Sequence, residues 1–293
     1  MTKITETRNL LSSNLDEMSV SKIIQLMNNE DKEIPNIIGQ NLNIIKNVIN
    51  NIIRTFESNG RLFYVGCGTS GRLGVLDASE CPPTFKTDPS DVQGIIAGGY
   101  DALYKSIEGA EDSFEDGQSI IIDKKLKSSD SVIGISASGS AKFVLGALSQ
   151  SFNFGAYTCL ITFNDFNNDE SYINDIVSYN LGPEIISGST RMKAGTATKM
   201  ILNMISTTSM VKSNKVYKNY MVDLKVSNRK LKSRAINIIS EITKLNNKKS
   251  SLLLKLAKND VKVALVMNHN DLSYKAACEL LNKNKGNLRN ILQ

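Results

Sequence analysis

The chain has 293 residues, 41% of them hydrophobic, which is enough to bury the core of one large domain and a smaller one. Its net charge is +6, but Lys and Arg are scattered among Asp and Glu, which argues against the basic stripe of a nucleic-acid-binding protein. No stretch approaches the ~18 apolar residues of a membrane span, and the polar start predicts no secretory signal.

The cysteine and histidine content limits the disulfides, metal sites and general bases that this chain can form. Four cysteines, with no Cys-x-x-Cys pair, are typical of free thiols in a reducing cytosol. The single histidine, His269, argues against a histidine-built metal site and removes the commonest general base. Acid–base chemistry would therefore fall to carboxylates.

The first 60 residues are predicted to be helical after an extended, polar start at 1–16. A short helix is expected over 19–30. A longer amphipathic helix is expected over 36–57, where apolar residues recur at three- and four-residue spacing. This helix has to pack on the core or on a second subunit, and the spacing leaves that choice open.

The stretch from 61 to 83 has the most distinctive pattern. Residues 62–65 predict a strand, and a loop with glycines at 66, 68 and 71 follows, together with Thr69 and Ser70. A helical pattern then runs to Glu80 and is expected to stop at Pro82 and Pro83, because proline cannot continue a helix. A strand, a glycine loop and a helix N-terminus present N–H groups to an anion, so this stretch predicts a phosphate site.

Strand and helix signals continue to alternate up to residue 180. Strands are predicted at 93–97, 131–136, 157–163 and 175–180, with helices over 101–118 and up to 148. This alternation is typical of a parallel sheet with helices on both faces, which binds ligands at the carboxyl ends of its strands. The loop at 66–71 and a second glycine–serine loop at 136–140 are expected to converge there.

After residue 180 the pattern is mainly helical. Ser189 or Thr190 is predicted to cap an apolar helix over 197–211. Lys193 opposes the dipole of that helix, so we expect either an anionic ligand beside it or a plain surface position. From about 226 the pattern is helical only, which predicts a compact helical domain.

The glycines at 66, 68 and 71 also fit the dinucleotide-binding pattern. That pattern wants an acidic residue after the second strand, where this chain has Ala-Gly-Gly at 97–99, and it gives the second loop no role. We therefore favour a phosphorylated small molecule over a dinucleotide. Glu80, Glu108, Glu111 and Asp112 are candidate acid–base groups, although for any single one of them an ordinary solvated helix residue is the favoured interpretation.

Several blocks of the chain resemble the N-acetylmuramic acid 6-phosphate etherase family. They are 66–84, 96–99, 108–113, 182–184, 188–197 and 202–207, with 5–9 and the helical C-terminal third, so the resemblance covers essentially the whole chain. It implies an α/β sugar isomerase (SIS) fold with a flavodoxin-like parallel sheet, usually in a homodimer. The implied domains are an N-terminal helical segment at 1–51, a SIS phosphosugar-binding domain at 52–215 and a helical domain at 216–293.

The resemblance also implies a reaction. The family hydrolyses the D-lactyl ether of N-acetylmuramic acid 6-phosphate to N-acetylglucosamine 6-phosphate and D-lactate. The reaction is an elimination followed by hydration, in cytoplasmic recycling of cell-wall sugars. It implies no metal or organic cofactor, and we expect neither a nucleic-acid nor a membrane partner.

The family's two acid–base glutamates fall on Glu80 and Glu111, with Glu80 as the principal acid/base group. The phosphate-binding hydroxyls of SIS domains correspond to Ser70, Ser136 and Ser138. The remaining predicted substrate-binding residues are Gly68, Thr69 and Gly139 in the loops, with Thr190 and Lys193 as candidates for the sugar or the lactyl carboxylate.

The second loop departs from the family. Members usually read Ala-Ser-Gly-Arg-Thr-Pro-Tyr where 137–143 read Ala-Ser-Gly-Ser-Ala-Lys-Phe. Ala141 lacks the usual threonine hydroxyl and Ser140 replaces an arginine, so one phosphate contact is in question, and Lys142 is a candidate replacement. Cys67, in place of the more usual alanine, is expected to be a neutral packing change.

Two other functions share this fold. A non-catalytic phosphosugar sensor would not need two catalytic carboxylates, so the presence of both Glu80 and Glu111 favours an enzyme. An aldose–ketose isomerase would share the deprotonation at C2 but would not explain a whole-length resemblance to etherases. The C-terminal helices are expected to stabilise a dimer or to form a lid, with a partner-binding module as the alternative.

Overall fold

The structure is a computed structural model that describes residues 3–166, 170–226 and 228–293. Its internal contacts divide the chain into two compact units. The first comprises Met1–Ser79 and Ser90–Ser206, and the second comprises Glu80–Pro89 and Thr207–Gln293. Each unit has its own hydrophobic core. The domain bounds expected from the resemblance stay predictions.

The first unit is built on a parallel sheet of five strands in the order β2-β1-β3-β4-β5. The strands are β1 (Leu62–Gly66), β2 (Val92–Ile96), β3 (Ser131–Ile135), β4 (Tyr157–Thr162) and β5 (Asp175–Ser178). Gly66 pairs with Ile96 on one side and with Ile135 on the other, so three carboxyl ends lie level. The order reverses between β1 and β3, which is where such sheets bind ligands. The predicted flavodoxin-like sheet is confirmed.

Helices cover both faces of this sheet because successive side chains of a strand point in opposite directions. Phe63 and Val65 share a core cluster with α4 (Phe114–Asp123) and α5 (Lys142–Asn153). Tyr64 points the other way, towards α3 (Gly68–Phe85). A Cβ atom added at Gly74 of that helix would lie 2.9 Å from the Tyr64 Cβ, so the glycine permits close packing.

The N-terminal helices are α1 (Val20–Gly39) and α2 (Leu42–Glu57), so the helix predicted from 36 begins too early. The chain turns between them at 40–41, which hydrophobic spacing alone did not reveal. The segment before α1 is not extended but folds into three short 3₁₀ turns, Ile4–Glu6, Leu10–Ser12 and Leu15–Glu17. Thr5, Asn9 and Ser12 of this segment are buried.

Two other predicted helices have different bounds in the structure. α3 continues through Pro82 and Pro83 to Phe85, and its last turn closes with Lys86 N–H donating to the Pro82 carbonyl. The helix predicted over 101–118 is wrong. A 3₁₀ turn at Tyr100–Leu103 is followed by irregular chain, and α4 begins only after its cap at Ser113. Glu108 and Glu111 therefore lie outside regular helix.

α6 runs from Lys193 to Lys212, and the second unit then contains α7 (Arg229–Thr243), α8 (Asn247–Leu256), α9 (Val261–Asn270) and α10 (Tyr274–Lys283). The core of the unit is made by the apolar faces of these four helices, as predicted for a C-terminal helical domain. Each helix starts at a side chain that accepts a backbone N–H bond, which satisfies one of the free donors of the first turn. These caps are Asn228, Asn246, Asp260 and Ser273.

Candidate active site

The first candidate loop is the turn between β1 and α3. A Cβ atom at Gly66 would lie 2.6 Å from the Gly71 nitrogen, so the helix can start directly over the strand only with glycine there. Gly68 has a φ of +50°, a conformation that favours glycine. The turn leaves Thr69 and Ser70 partly exposed at the start of α3, where N–H groups and hydroxyls are available to an anion.

The second candidate loop follows β3 and is tied to the end of β4. The Ala137 carbonyl accepts hydrogen bonds from Phe163 N (3.0 Å), Thr162 Oγ1 (3.2 Å) and Asn164 Nδ2 (3.1 Å). Gly139 turns the chain with a φ of +73°. The loop is therefore held rigidly from below, which preorganises the groups on its upper side.

The two predicted serines of this loop have different environments. Ser136 is buried, and its hydroxyl oxygen accepts from Ala141 N at 3.3 Å, which leaves its proton available to donate. Ser138 is partly exposed. Because β1 and β3 are neighbours in the sheet, both loops lie at the same edge, as predicted. Thr69 also lies beside the start of α6, since a Cβ at Gly195 would be 3.6 Å from Thr69 Cγ2.

Ser140 is a further candidate for ligand binding. The sequence analysis considered it only as the residue that replaces the family's arginine. Its hydroxyl lies 2.9 Å from that of Ser138, and its N–H donates to the same oxygen at 3.3 Å. α5 starts directly afterwards. Its N-cap residue is Ala141, and no side chain of that residue caps the helix. The available signal was the Ser-x-Ser spacing itself, which places a second hydroxyl at an uncapped helix N-terminus.

Glu111 lines a cavity of about 200 Å³ beside the first loop. Its backbone carbonyl accepts a hydrogen bond from Phe143 N at 3.0 Å, which anchors it to the residues that follow the second loop. Two glycines bring α4 and α5 into direct contact: a Cβ at Gly117 would overlap the Phe143 carbonyl oxygen, and one at Gly146 would overlap the Phe114 carbonyl oxygen. Backbone packing therefore determines where Glu111 stands.

Cys67 shares this cavity but is not a nucleophile at neutral pH. Burial, with a further contribution from the negative charges of Glu111 and Asp112, raises the pKa of its thiol to about 12. The thiolate is the reactive form of cysteine, so a thiol with this pKa is inert. Glu108 and Glu111 are the carboxylates that line this cavity.

Glu80, the second predicted acid–base residue, is exposed near the end of α3. It belongs to the second unit, whereas Glu111 belongs to the first. The roles of both glutamates stay predictions at this point.

Lys193 has protein partners that the sequence did not reveal. Its ammonium group is 2.7 Å from Glu30 Oε2 and donates to the Leu181 carbonyl at 2.9 Å. The cap of α6 is Glu184, whose two carboxylate oxygens accept from Lys193 N and Ala194 N at 3.0 Å each. The caps predicted at Ser189 or Thr190 are wrong, because the buried carboxylate of Glu184 caps the helix instead. Thr190 lies partly exposed in the preceding loop.

In residues 3–166, 170–226 and 228–293, no group of three or more His, Cys, Asp or Glu side chains is arranged to hold a metal ion. In the same part of the chain, no helix is long and apolar enough to cross a membrane.

Comparison with known proteins identifies the family. The chain is 44% identical over 288 residues to N-acetylmuramic acid 6-phosphate etherase 1 of Bacillus licheniformis, which covers 98% of this chain and 95% of that protein. It is 45% identical over 289 residues to N-acetylmuramic acid 6-phosphate etherase of Geobacillus sp. strain WCH70, covering 99% and 98%. The chain belongs to the N-acetylmuramic acid 6-phosphate etherase family. This confirms the predicted etherase, an enzyme, over the phosphosugar-sensing regulator.

Comparisons of domains and structures confirm the SIS fold of this etherase. Residues 43–152 match the family described as the glucokinase regulatory protein N-terminal SIS domain. Residues 218–275 match the C-terminal lid domain of glucokinase regulatory protein. A protein from Bacteroides fragilis assigned as a phosphosugar isomerase involved in capsule formation has a similar fold, with a TM-score of 0.50 at 17% identity. That match covers 66% of this chain and 91% of the other.

Proposed function

We propose that this etherase cleaves the D-lactyl ether of N-acetylmuramic acid 6-phosphate with water, to give N-acetylglucosamine 6-phosphate and D-lactate. The observation that carries the proposal is the near full-length identity of 44–45% to proteins named for that activity. The geometry supports it, because a carboxylate-lined cavity adjoins the first of two hydroxyl-bearing loops, and both loops lie at the ligand-binding edge of the sheet.

The phosphate is proposed to bind at the two loops. Ser70, Ser136 and Ser138 supply hydroxyl donors, and the chain at Gly68, Thr69 and Gly139 supplies close backbone approach. The hydroxyl of Ser140, paired with that of Ser138, adds a donor on the same loop and offsets the threonine hydroxyl absent at Ala141. Phosphate oxygens are strong acceptors, so several donors of this kind fix one end of the sugar.

The chemistry is proposed to proceed through the open-chain aldehyde, which makes the proton on C2 removable. Loss of that proton expels lactate from C3, and water then adds to C3 of the unsaturated aldehyde. One group must take the C2 proton and one must protonate the departing oxygen, and Glu80 and Glu111 are proposed to divide these tasks. Thr190 is proposed to contact the sugar. Lys193 has the weakest case as a ligand, because Glu30 already neutralises its charge.

We place the enzyme in the cytoplasm, as a homodimer, in the recycling of peptidoglycan sugars. Support comes from the free cysteines and from the family assignment. The reaction as written balances without a redox step or a metal, so the proposal includes no cofactor.

Oxygen-18 water tests this function directly. Purified protein is incubated with N-acetylmuramic acid 6-phosphate, and both products are analysed by mass spectrometry. Lactate release with the label at C3 of the sugar and none in the lactate would show cleavage of the sugar C3–O bond, and we expect Glu80→Gln to lose that release. Label in the lactate would contradict elimination, and binding without any release would favour the sensor.

A further inference from the structure

The proposed substrate carries two anions, and the loops account for one of them. The 6-phosphate is matched by hydroxyls and backbone N–H groups, but the lactyl carboxylate needs its own donors. Lys193 was the first candidate, yet its ammonium group is buried against Glu30 and the Leu181 carbonyl. A cation with free hydrogen-bonding capacity has to be sought elsewhere on this edge of the sheet.

Arg72 has that capacity. It lies one turn into α3, lines the same cavity as Glu111 and is partly buried. Its Nε donates to the Leu103 carbonyl at 3.1 Å, and its Nη2 donates to the Lys105 carbonyl at 2.7 Å. These two bonds use one side of the guanidinium group and hold its plane in a fixed orientation.

The other side of the guanidinium group is unused. Arginine has five N–H donors, and in the described part of the chain Arg72 spends two of them on these carbonyls. Of the three that remain, one on Nη1 and one on Nη2 form the end-on fork that matches the two oxygens of a carboxylate. No carboxylate of the described residues forms an ion pair with this fork.

The rest of the cavity suits a lactyl group. Its volume is about 200 Å³, and small apolar side chains (Ala97, Ala102, Ala110) line it together with Ile107, which favours a methyl group. Glu108 and Glu111 also line it, so an anionic ligand would be repelled unless a cation stood beside them. A guanidinium group fixed in this wall supplies that cation.

We propose that this cavity is the lactyl subsite, and that the free fork of Arg72 binds the lactyl carboxylate while the apolar wall receives the methyl group. The proposal rests on the proposed function. It places the ether bond beside Glu111 and makes Arg72 the residue that distinguishes the muramic acid ether from the same sugar without its lactyl group. The phosphate loops would bind both sugars alike.

The test compares two substrates, N-acetylmuramic acid 6-phosphate and its derivative with the lactyl carboxylate converted to the primary amide. The wild-type enzyme should prefer the acid in kcat/KM by about 10- to 100-fold, the range expected for hydrogen bonds to a charged group. Arg72→Gln should abolish the preference by slowing turnover of the acid alone. Inhibition by N-acetylglucosamine 6-phosphate, which lacks the lactyl group, should be unchanged in that variant.

Lys105→Gln is the matched control, because Lys105 lines the same cavity but its side chain is 58% exposed and pairs with Asp101 at 3.5 Å. It should keep most of the preference for the acid. If Arg72→Gln folds poorly, as judged by circular dichroism, Arg72→Lys retains the charge without the fork and should keep only part of the preference.

Two results would overturn the subsite. Either Arg72→Gln keeps the wild-type preference for the acid, or it weakens acid, amide and the lactyl-free sugar equally, which would mean that Arg72 only supports the 103–105 segment. Failure of the proposed function looks different, since the wild-type enzyme would then release lactate from neither substrate. In that case, calorimetric binding of the acid and the amide to the wild type and to Arg72→Gln gives the same comparison.

Discussion

The two units of this protein are built by different means. The contrast is clearest between the chain up to residue 206, which holds the whole sheet unit, and the chain after it, which lies entirely in the helical unit. Residues 1–206 contain 18 of the 19 glycines and carry 17 Lys and Arg against 24 Asp and Glu, a net charge of −7. Residues 207–293 contain one glycine and carry 18 basic against five acidic residues, a net charge of +13. The whole-chain value of +6 conceals this contrast, so the expectation of evenly mixed charge is wrong for the C-terminal third.

The difference in composition reflects the contacts that hold each unit together. In the sheet unit, backbone approaches backbone through glycines, and this places hydroxyls and carboxylates at one edge. In the helical unit, amphipathic helices are capped by polar side chains and pack through apolar ones, with a buried ion pair between Lys262 and Asp223. Sites built on close backbone contacts are rigid, which is the property that acid–base catalysis requires.

The largest expected effect is loss of chemistry in the sheet unit without loss of fold. Glu111→Gln keeps the size and polarity of the side chain but removes the proton transfer proposed for it, so lactate release should fall by about 10²- to 10⁴-fold. The melting temperature should be unchanged, because the Glu111 side chain is exposed. Glu115→Gln, at an exposed position in α4, is the control, and equal loss in both variants would remove Glu111 from the mechanism.

A change in the helical unit should have the reverse effect, on stability rather than on chemistry. Lys262 donates to Asp223 at 2.7 Å and to the Asn214 carbonyl at 2.8 Å. Lys262→Met leaves Asp223, among the described residues, with the longer ion pair to Lys215 at 3.8 Å, and should lower the free energy of unfolding by about 3 kcal/mol. Hydrogen exchange should show the lost protection in α7–α9 and not in β1 or β3.

Lys255→Met is the matched control for that change, because Lys255 is exposed on α8 and forms no ion pair within the described residues. It should alter the free energy of unfolding by less than about 0.5 kcal/mol. A fall as large as that of Lys262→Met would show that total charge, not the buried pair, stabilises the unit.

The glycine contact between α4 and α5 can be broken separately. Gly146→Ala places a methyl group against the Phe114 carbonyl and should destabilise the sheet unit by about 1–3 kcal/mol. Lactate release should fall too, since α4 follows directly on the Glu111 segment. Gly39→Ala, where no atom lies within 4 Å of the added Cβ, should instead be neutral or stabilising by up to about 1 kcal/mol in urea denaturation. Similar losses in both would contradict the packing explanation.

The smallest effect is expected at Cys67. Its pKa of about 12 keeps the thiol neutral, so Cys67→Ala should leave turnover at pH 7 within about threefold of wild type. The folded pKa is raised, so the stability from this group is present below its ordinary pKa of 9.0 and is lost as pH rises through 12. Cys67→Ala should therefore lose less stability than wild type between pH 9 and 12. An equal loss in both proteins would contradict the raised pKa of the Cys67 thiol.

Local physics accounts for what could be predicted. The strands, the two glycine loops and the capped C-terminal helices follow from residue spacing and from steric limits on single residues, as at Gly68. The helix predicted over 101–118 failed because Gly109, which lies inside that range, has a φ of +71°, and such a residue interrupts a helix however well its apolar residues are spaced.

Residue spacing was enough to predict the class of fold, the positions of the two glycine loops and the family of the enzyme, because these depend on neighbours in the chain. Only the tertiary structure decided which charges remain free. It joined Lys193 to Glu30, 163 residues away, and turned one side of Arg72 towards carbonyls 31 and 33 residues further on. Such pairings depend on how the packed backbone brings distant segments together, and that information is absent from local spacing.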